Sequence, residues 1–225
     1  MSTKRATTGA IVLAAALLTA ACSPPEKRIV DQYFNAVNSE DTQTITSFAA
    51  YRFPTKVQAW KIVSVSAETK EAAPLPGLTK AAADAETEVD KNKRAAQVWA
   101  GDLEVYKQID EVKELRKKNA ALPPRLAAVA QKYDDYGAKE RELKKAMAQA
   151  KDAAEQEKRY VALSVGQVDG IETAEAEMLT KQVELELTVE GQPKPHTMTL
   201  RKYTLSGDTG QRVISRWVVM KIDAK

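Results

Sequence analysis

The 225-residue sequence holds one cysteine and one histidine, and only 6% of its residues are aromatic. One histidine and one cysteine cannot assemble a three- or four-ligand zinc site. No loop of regularly spaced acids of the kind that wraps calcium is present either. No metal and no cofactor is therefore expected, and a lone thiol cannot close a disulfide within the chain. The sequence also lacks an excess of charge of one sign, with 34 basic against 31 acidic side chains. Two of the basic residues, Lys4 and Arg5, lie in a segment read below as cleavable, which leaves the remainder close to neutral. Nucleic-acid binding needs a basic stripe that displaces counterions, so that class is set aside. A bilayer-spanning stretch of about 20 apolar residues is missing too, because the longest apolar run covers only residues 10–18.

What is present at the start is a basic pair, that short apolar run, and the small residues Thr19, Ala20 and Ala21 before Cys22. This is the order of a cleavable secretory signal. Leu18-Thr19-Ala20-Ala21-Cys22 resembles the lipobox of bacterial lipoproteins. The resemblance implies cleavage between Ala21 and Cys22 and lipidation of the Cys22 sulfur, with three acyl chains (palmitate-like) on the mature protein. Several chains hold stably where one holds only reversibly. Ser23 stands where an aspartate would direct inner-membrane retention, so the resemblance places the protein in the cell envelope. In an organism with two membranes it would sit on the outer membrane, facing the periplasm.

Along the chain, residues 1–21 form the signal and 22–28 a lipidated tether. Ile29, Val30, Tyr33, Phe34 and Val37 then recur at helical spacing, and Ile45 and Phe48 mark a second short helix over residues 42–50. Residues 57–67 change to period two and read as a strand. After Pro74-Leu75-Pro76-Gly77 the composition shifts to Ala, Glu, Lys, Asp and Gln, the signature of long helix. Pro123-Pro124 splits this block, which predicts two helices of about 40 residues folded as a coiled-coil hairpin over residues 77–159. On the second helix Leu126, Val129, Tyr133, Tyr136, Glu140, Leu143, Met147, Ala150 and Ala154 form a heptad seam. The expected register puts Val112 near Tyr133, Ile109 near Tyr136 and Val98 near Met147. Period two returns over residues 160–168, 179–189, 197–205 and 212–222, with turn residues between. The fold class is therefore α+β: two short N-terminal helices and a curved antiparallel sheet of about five strands, interrupted by the hairpin.

The opening Ile29-Val30-Asp31-Gln32-Tyr33-Phe34-Asn35-Ala36-Val37 and the closing Trp217-Val218-Val219-Met220-Lys221-Ile222 resemble the nuclear-transport-factor-two-like cone fold. The resemblance covers residues 27–67 and 160–223, and the α+β domain it implies spans residues 29–76 and 160–225. It implies a cone lined by Tyr33, Trp60 and Trp217, with Asp31, Tyr33, Tyr51 and His196 as the residue types that serve acid–base chemistry in cone-fold enzymes. His196, between Pro195 and Thr197, is expected in solvent. No spacing brings these four together, so no catalytic constellation is assigned.

Trp99, Tyr106, Tyr133 and Tyr136 are the candidate partner surface, Trp99 because a two-helix seam cannot fully bury so large a ring. The expected function is a nonenzymatic binding or scaffold module of the envelope, acting on a protein partner or a second copy through residues 79–159. One alternative is a ligand-binding or catalytic cone. A second is a component of an efflux system resembling periplasmic adaptors, which also place a helical hairpin between strands but carry paired lipoyl half-motifs that this chain lacks.

Overall fold

Apolar residues three and four apart give the N-terminal segment one greasy face, and that face is what the sheet buries. In the computed structural model, which describes residues 25–205 and 215–225, helix α1 (Pro25–Asn38) turns Val30, Tyr33, Phe34 and Val37 inward. Helix α2 (Thr42–Phe48) adds Ile45 and Phe48. The side chain of Asp41 caps α2 by accepting from the Thr44 backbone N–H at 2.9 Å, which satisfies one of the free donors of its first turn.

Five strands follow in one antiparallel sheet: β1 (Ala59–Val65), β2 (Thr69–Ala72), β3 (Ala176–Val189), β4 (Gln192–Leu205) and β5 (Val218–Ala224). Spatially the order is β1-β3-β4-β5, and β2 pairs with β3 on the same side as β1. Trp60 lies opposite Leu187 and Lys70 opposite Leu179, so the chain before the long helices pairs directly with the chain after them. The β3–β4 ladder is the longest, running without a shift from Ala176 opposite Leu205 to Val189 opposite Gln192. Alternation sends Val183, Leu185 and Leu187 of β3, with Met198 and Leu200 of β4, to one face. There they form the main core with α1, α2, Phe53, Val57, Val219 and Ile222.

Helices α3 (Leu75–Ala100), α4 (Leu103–Lys117) and α5 (Pro124–Val165) occupy the long middle segment. Pro124 opens α5, where its missing N–H costs nothing, and Gly166 ends it at φ +83°. Partners on α5 fall as those on α3 rise, with Glu86 against Lys151 and Trp99 against Tyr136, so these two helices are antiparallel. The last turns of α5 reach the sheet. Val161 and Val165 join Leu75, Met178 and Tyr203 in a second core cluster. Among the described residues, no helix is long and apolar enough to cross a membrane.

Four expectations are corrected. Residues 160–168 are not a strand, because α5 continues to Val165 and buries Glu157, Val161, Ser164 and Val165 at helical spacing. A strand at Thr69–Ala72 takes the fifth place in the sheet. The first long helix breaks at Gly101-Asp102, where the Asp102 carboxylate accepts from the N–H groups of Glu104 and Val105 and starts a new helix. The proposed register fails for the same reason. Val112 packs against Leu126 and Ala130, Arg116 forks onto Asp134 at 2.7 and 2.6 Å, and Arg125 pairs with Glu111. Partner numbers on α4 and α5 rise together, so α4 crosses α5 rather than descending it as an antiparallel arm.

Candidate partner surface

The helices carry four large exposed apolar side chains, three of them between Val98 and Tyr106 about the corner where α3 breaks into α4, and one on α5. Val98 is 80% exposed, Leu103 68%, Tyr106 55% and Tyr133 37%. The break at Gly101-Asp102 creates this corner by turning the chain just after Trp99. Trp99 is half-buried and packs on Tyr136, with ring centroids 5.4 Å apart and planes inclined at 32°. The Lys132 ammonium lies 5.2 Å from the Trp99 ring centre and that of Lys113 lies 5.5 Å from Tyr133, each in cation–π contact. Between these rings runs a groove of about 260 Å³, lined by Ala96, Trp99, Tyr133, Tyr136, Gly137 and Arg141 among others. Of the four aromatic residues singled out in the sequence, Trp99, Tyr133 and Tyr136 line this groove, while Tyr106 stands 55% exposed on α4 and is not among the lining residues.

The residues expected to line a cone behave differently. Tyr33 is fully buried, and its hydroxyl accepts from the Phe53 N–H and donates to the Tyr51 carbonyl, both at 2.9 Å. Burial pushes its ionisation far above the usual phenol range. Phe34 packs beside it at 5.2 Å and meets Trp60 at 5.4 Å. Trp60 donates its indole N–H to Asp31 at 2.8 Å. The hydrogen bond from Lys27, and then that from Trp60, hold the Asp31 carboxyl below its ordinary value. Trp217 lies at the opposite end of the β3–β4 ladder, half-buried between the ammonium groups of Lys181 and Lys202. The inner face of the sheet is filled by side chains, with Tyr33 part of the filling and Trp60 and Trp217 both packed against it, half-buried.

His196 is 7% exposed, a correction to its expected place in solvent. It shares a face with Met198 and Leu200, packs edge-on to Phe53 at 5.7 Å, and its Nδ1 is 3.0 Å from the Lys194 carbonyl. The Asp31 carboxylate is taken up by Lys27 and Trp60, the Tyr33 hydroxyl by the backbone of Tyr51 and Phe53, and the His196 ring by Phe53 and the Lys194 carbonyl. Among the described residues, no group of three or more His, Cys, Asp or Glu is placed to hold a metal ion. Cys22 and Ala21 lie outside the described residues.

Two buried polar clusters carry no sequence signal. In the first, Glu157 on α5 accepts from the Tyr203 hydroxyl at 2.7 Å and lies 3.9 Å from the Arg201 guanidinium. Ser164 adds to it, its hydroxyl donating to the Arg216 carbonyl and accepting from the Tyr203 N–H. Burial, and then the neighbouring carboxylate, drive Tyr203 well above the usual phenol range. In the second, Lys181 bridges Glu26 at 2.5 Å and Glu68 at 3.0 Å. Burial alone would raise the Glu26 carboxyl, but its bond to Lys181 and its backbone contact outweigh that and hold it below the ordinary value. Both contacts join residues more than 40 positions apart, which periodicity does not reveal.

Compared with known proteins, the chain matches no family model, no curated protein and no solved structure.

Proposed function

We propose that this protein is a lipid-anchored component of the bacterial cell envelope, held by acyl chains on Cys22, and that it works without catalysis as a binding or scaffold module. The anchor reading rests on the lipobox-like residues 18–22. The binding reading rests on one observation above the others: Trp99, Tyr133 and Tyr136 line a single groove on the helices, and the large apolar side chains of Val98, Leu103 and Tyr106 stand exposed on either side of the α3–α4 break in the chain. Scattered exposed apolar residues need no explanation, but a cluster of large ones marks an interaction site. Tryptophan and tyrosine in such a cluster are the side chains that most often dominate interface energies. α3 is 26 residues long, so the corner sits about 39 Å along the helix from its start at the sheet, at 1.5 Å per residue. The filled inner face of the sheet gives a small-ligand reading less support.

The test is photocrosslinking in living cells, with a benzophenone amino acid at Tyr106 or Tyr133 and, as control, at the exposed Lys221 on β5. A discrete protein adduct at both helical positions and none at Lys221 is expected. Equal labelling at all three, or none at the helical pair, overturns the binding-surface reading.

A further inference from the structure

We propose that Trp217 and Lys202, at the end of the sheet where α1 begins, rest on the lipid surface that the acyl chains of Cys22 enter. This rests on the anchor reading of Cys22 given above, and it goes further by assigning the domain an orientation on the membrane. Helix α1 begins at Pro25, so three residue steps separate it from Cys22. At about 3.5 Å per residue the first helical residue cannot stand more than about 11 Å from the lipidated cysteine. Glu26, the next residue, is 5% exposed and locked onto Lys181 of β3 at 2.5 Å. That contact fixes which part of the sheet is brought to the bilayer.

The surface at that point has the chemistry of a membrane interface. The Lys181 ammonium lies 5.1 Å from the Trp217 ring centre and the Lys202 ammonium 5.6 Å from it. An indole with an apolar body and a polar edge is the residue of choice at headgroup depth. A lysine beside it keeps its charge in water while its stem lies along apolar surface. Glu26 and Glu68 both pair with Lys181, so the charges of Glu26, Glu68, Lys181 and Lys202 cancel. The contact is therefore driven by the indole and by proximity to the anchor, and it needs no anionic lipid. The far end of the same face gives an internal control. Leu179 pairs with Lys202 and Leu187 with Lys194, so Lys194 lies eight residues along β4 from Lys202, about 26 Å at 3.3 Å per residue. Trp60, opposite Leu187, sits at that distant end.

The experiment uses the full-length protein purified from cell membranes, its lipid confirmed by intact mass, reconstituted into vesicles of dibrominated phosphatidylcholine. Two variants keep one tryptophan each: Trp60→Phe with Trp99→Phe retains Trp217, and Trp99→Phe with Trp217→Phe retains Trp60. Emission from Trp217 should fall about twofold or more relative to unbrominated vesicles, as for a side chain at the headgroup boundary, while Trp60 should be unchanged. Because Trp60→Phe removes the bond to Asp31, a second pair guards against misfolding. Lys202→Cys and Lys194→Cys, labelled with an environment-sensitive dye that the acylated Cys22 cannot take up, should show a blue shift at position 202 only. Lipidated protein in which position 217 is unquenched, or in which positions 202 and 194 respond alike, overturns the orientation and leaves the anchor standing. An unlipidated Cys22 overturns both.

Discussion

Removing one hydroxyl should loosen the joint between the helices and the sheet. Tyr203→Phe deletes the donor that meets Glu157 at 2.7 Å, at a site where Tyr203 is fully buried and Glu157 is 6% exposed. The nearest remaining partner of that carboxylate is Arg201 at 3.9 Å, beyond hydrogen-bond reach. A hydrogen bond to a charged group contributes about 1.5–3 kcal/mol, and stranding a buried carboxylate puts the loss at the upper end of that range. For a domain of this size 1 kcal/mol shifts Tm by about 2–4 °C, so a fall of about 5–10 °C is expected. Glu157→Met should cost a similar amount, because the phenol then loses its acceptor. The double variant should cost about 1–2 kcal/mol less than the two singles added together, since neither partner is left stranded. Urea unfolding followed by circular dichroism measures all three. A Tyr203→Phe loss within about 0.5 kcal/mol, the range of a neutral surface change, or strict additivity in the double variant, refutes the claim that this contact holds α5 on the sheet.

Two further outcomes are expected. Asp102→Ala removes the acceptor for two N–H groups of α4 and should cost about 1 kcal/mol, seen as faster hydrogen exchange confined to α4 with the β3–β4 ladder unchanged; equally faster exchange throughout would contradict the local role. Tyr33 and Tyr203 both have ionisation raised by folding, so stability is fully present below the unfolded phenol value near pH 10 and lost as pH rises beyond it. The slope should approach about 1.4 kcal/mol per pH unit for each tyrosine, and spectrophotometric titration should find two of the seven tyrosines ionising only as the protein unfolds; reversible ionisation of all seven with the native spectrum intact would count against it.

Much of the fold was legible because it is written in local periodicity. The spacing of Val30, Tyr33, Phe34 and Val37 specifies a helix with one buried face, and Val183, Leu185 and Leu187 specify a strand, whatever lies elsewhere. Pro124 also marks the start of α5. His196 was misjudged through its neighbour Pro195, although period two with Met198 and Leu200 assigns it to the buried face. The α3–α4 break carried a readable signal as well, since Gly101-Asp102 is a helix stop followed by a capping residue, and the Ala-rich and Glu-rich surroundings masked it. β2 left no signal, because Thr69, Lys70, Glu71 and Ala72 are all exposed. Residues 160–165 misled because a short apolar run fits either period, and only the distant partners Tyr203 and Arg216 make the helix the better choice. At the candidate surface, the size of the Trp99 ring against a two-helix seam was the signal the sequence carried. The groove itself depends on the chain turning at Gly101, a tertiary event.

The proposed lipid bond at Cys22 underlies both the envelope reading and the orientation on the membrane. Intact-mass spectrometry of protein purified from cell membranes tests it directly. A mass corresponding to a chain that begins at Cys22 and carries a diacylglyceryl group and a third acyl chain is the expected result, and a chain retaining residues 1–21 or an unmodified Cys22 thiol contradicts it.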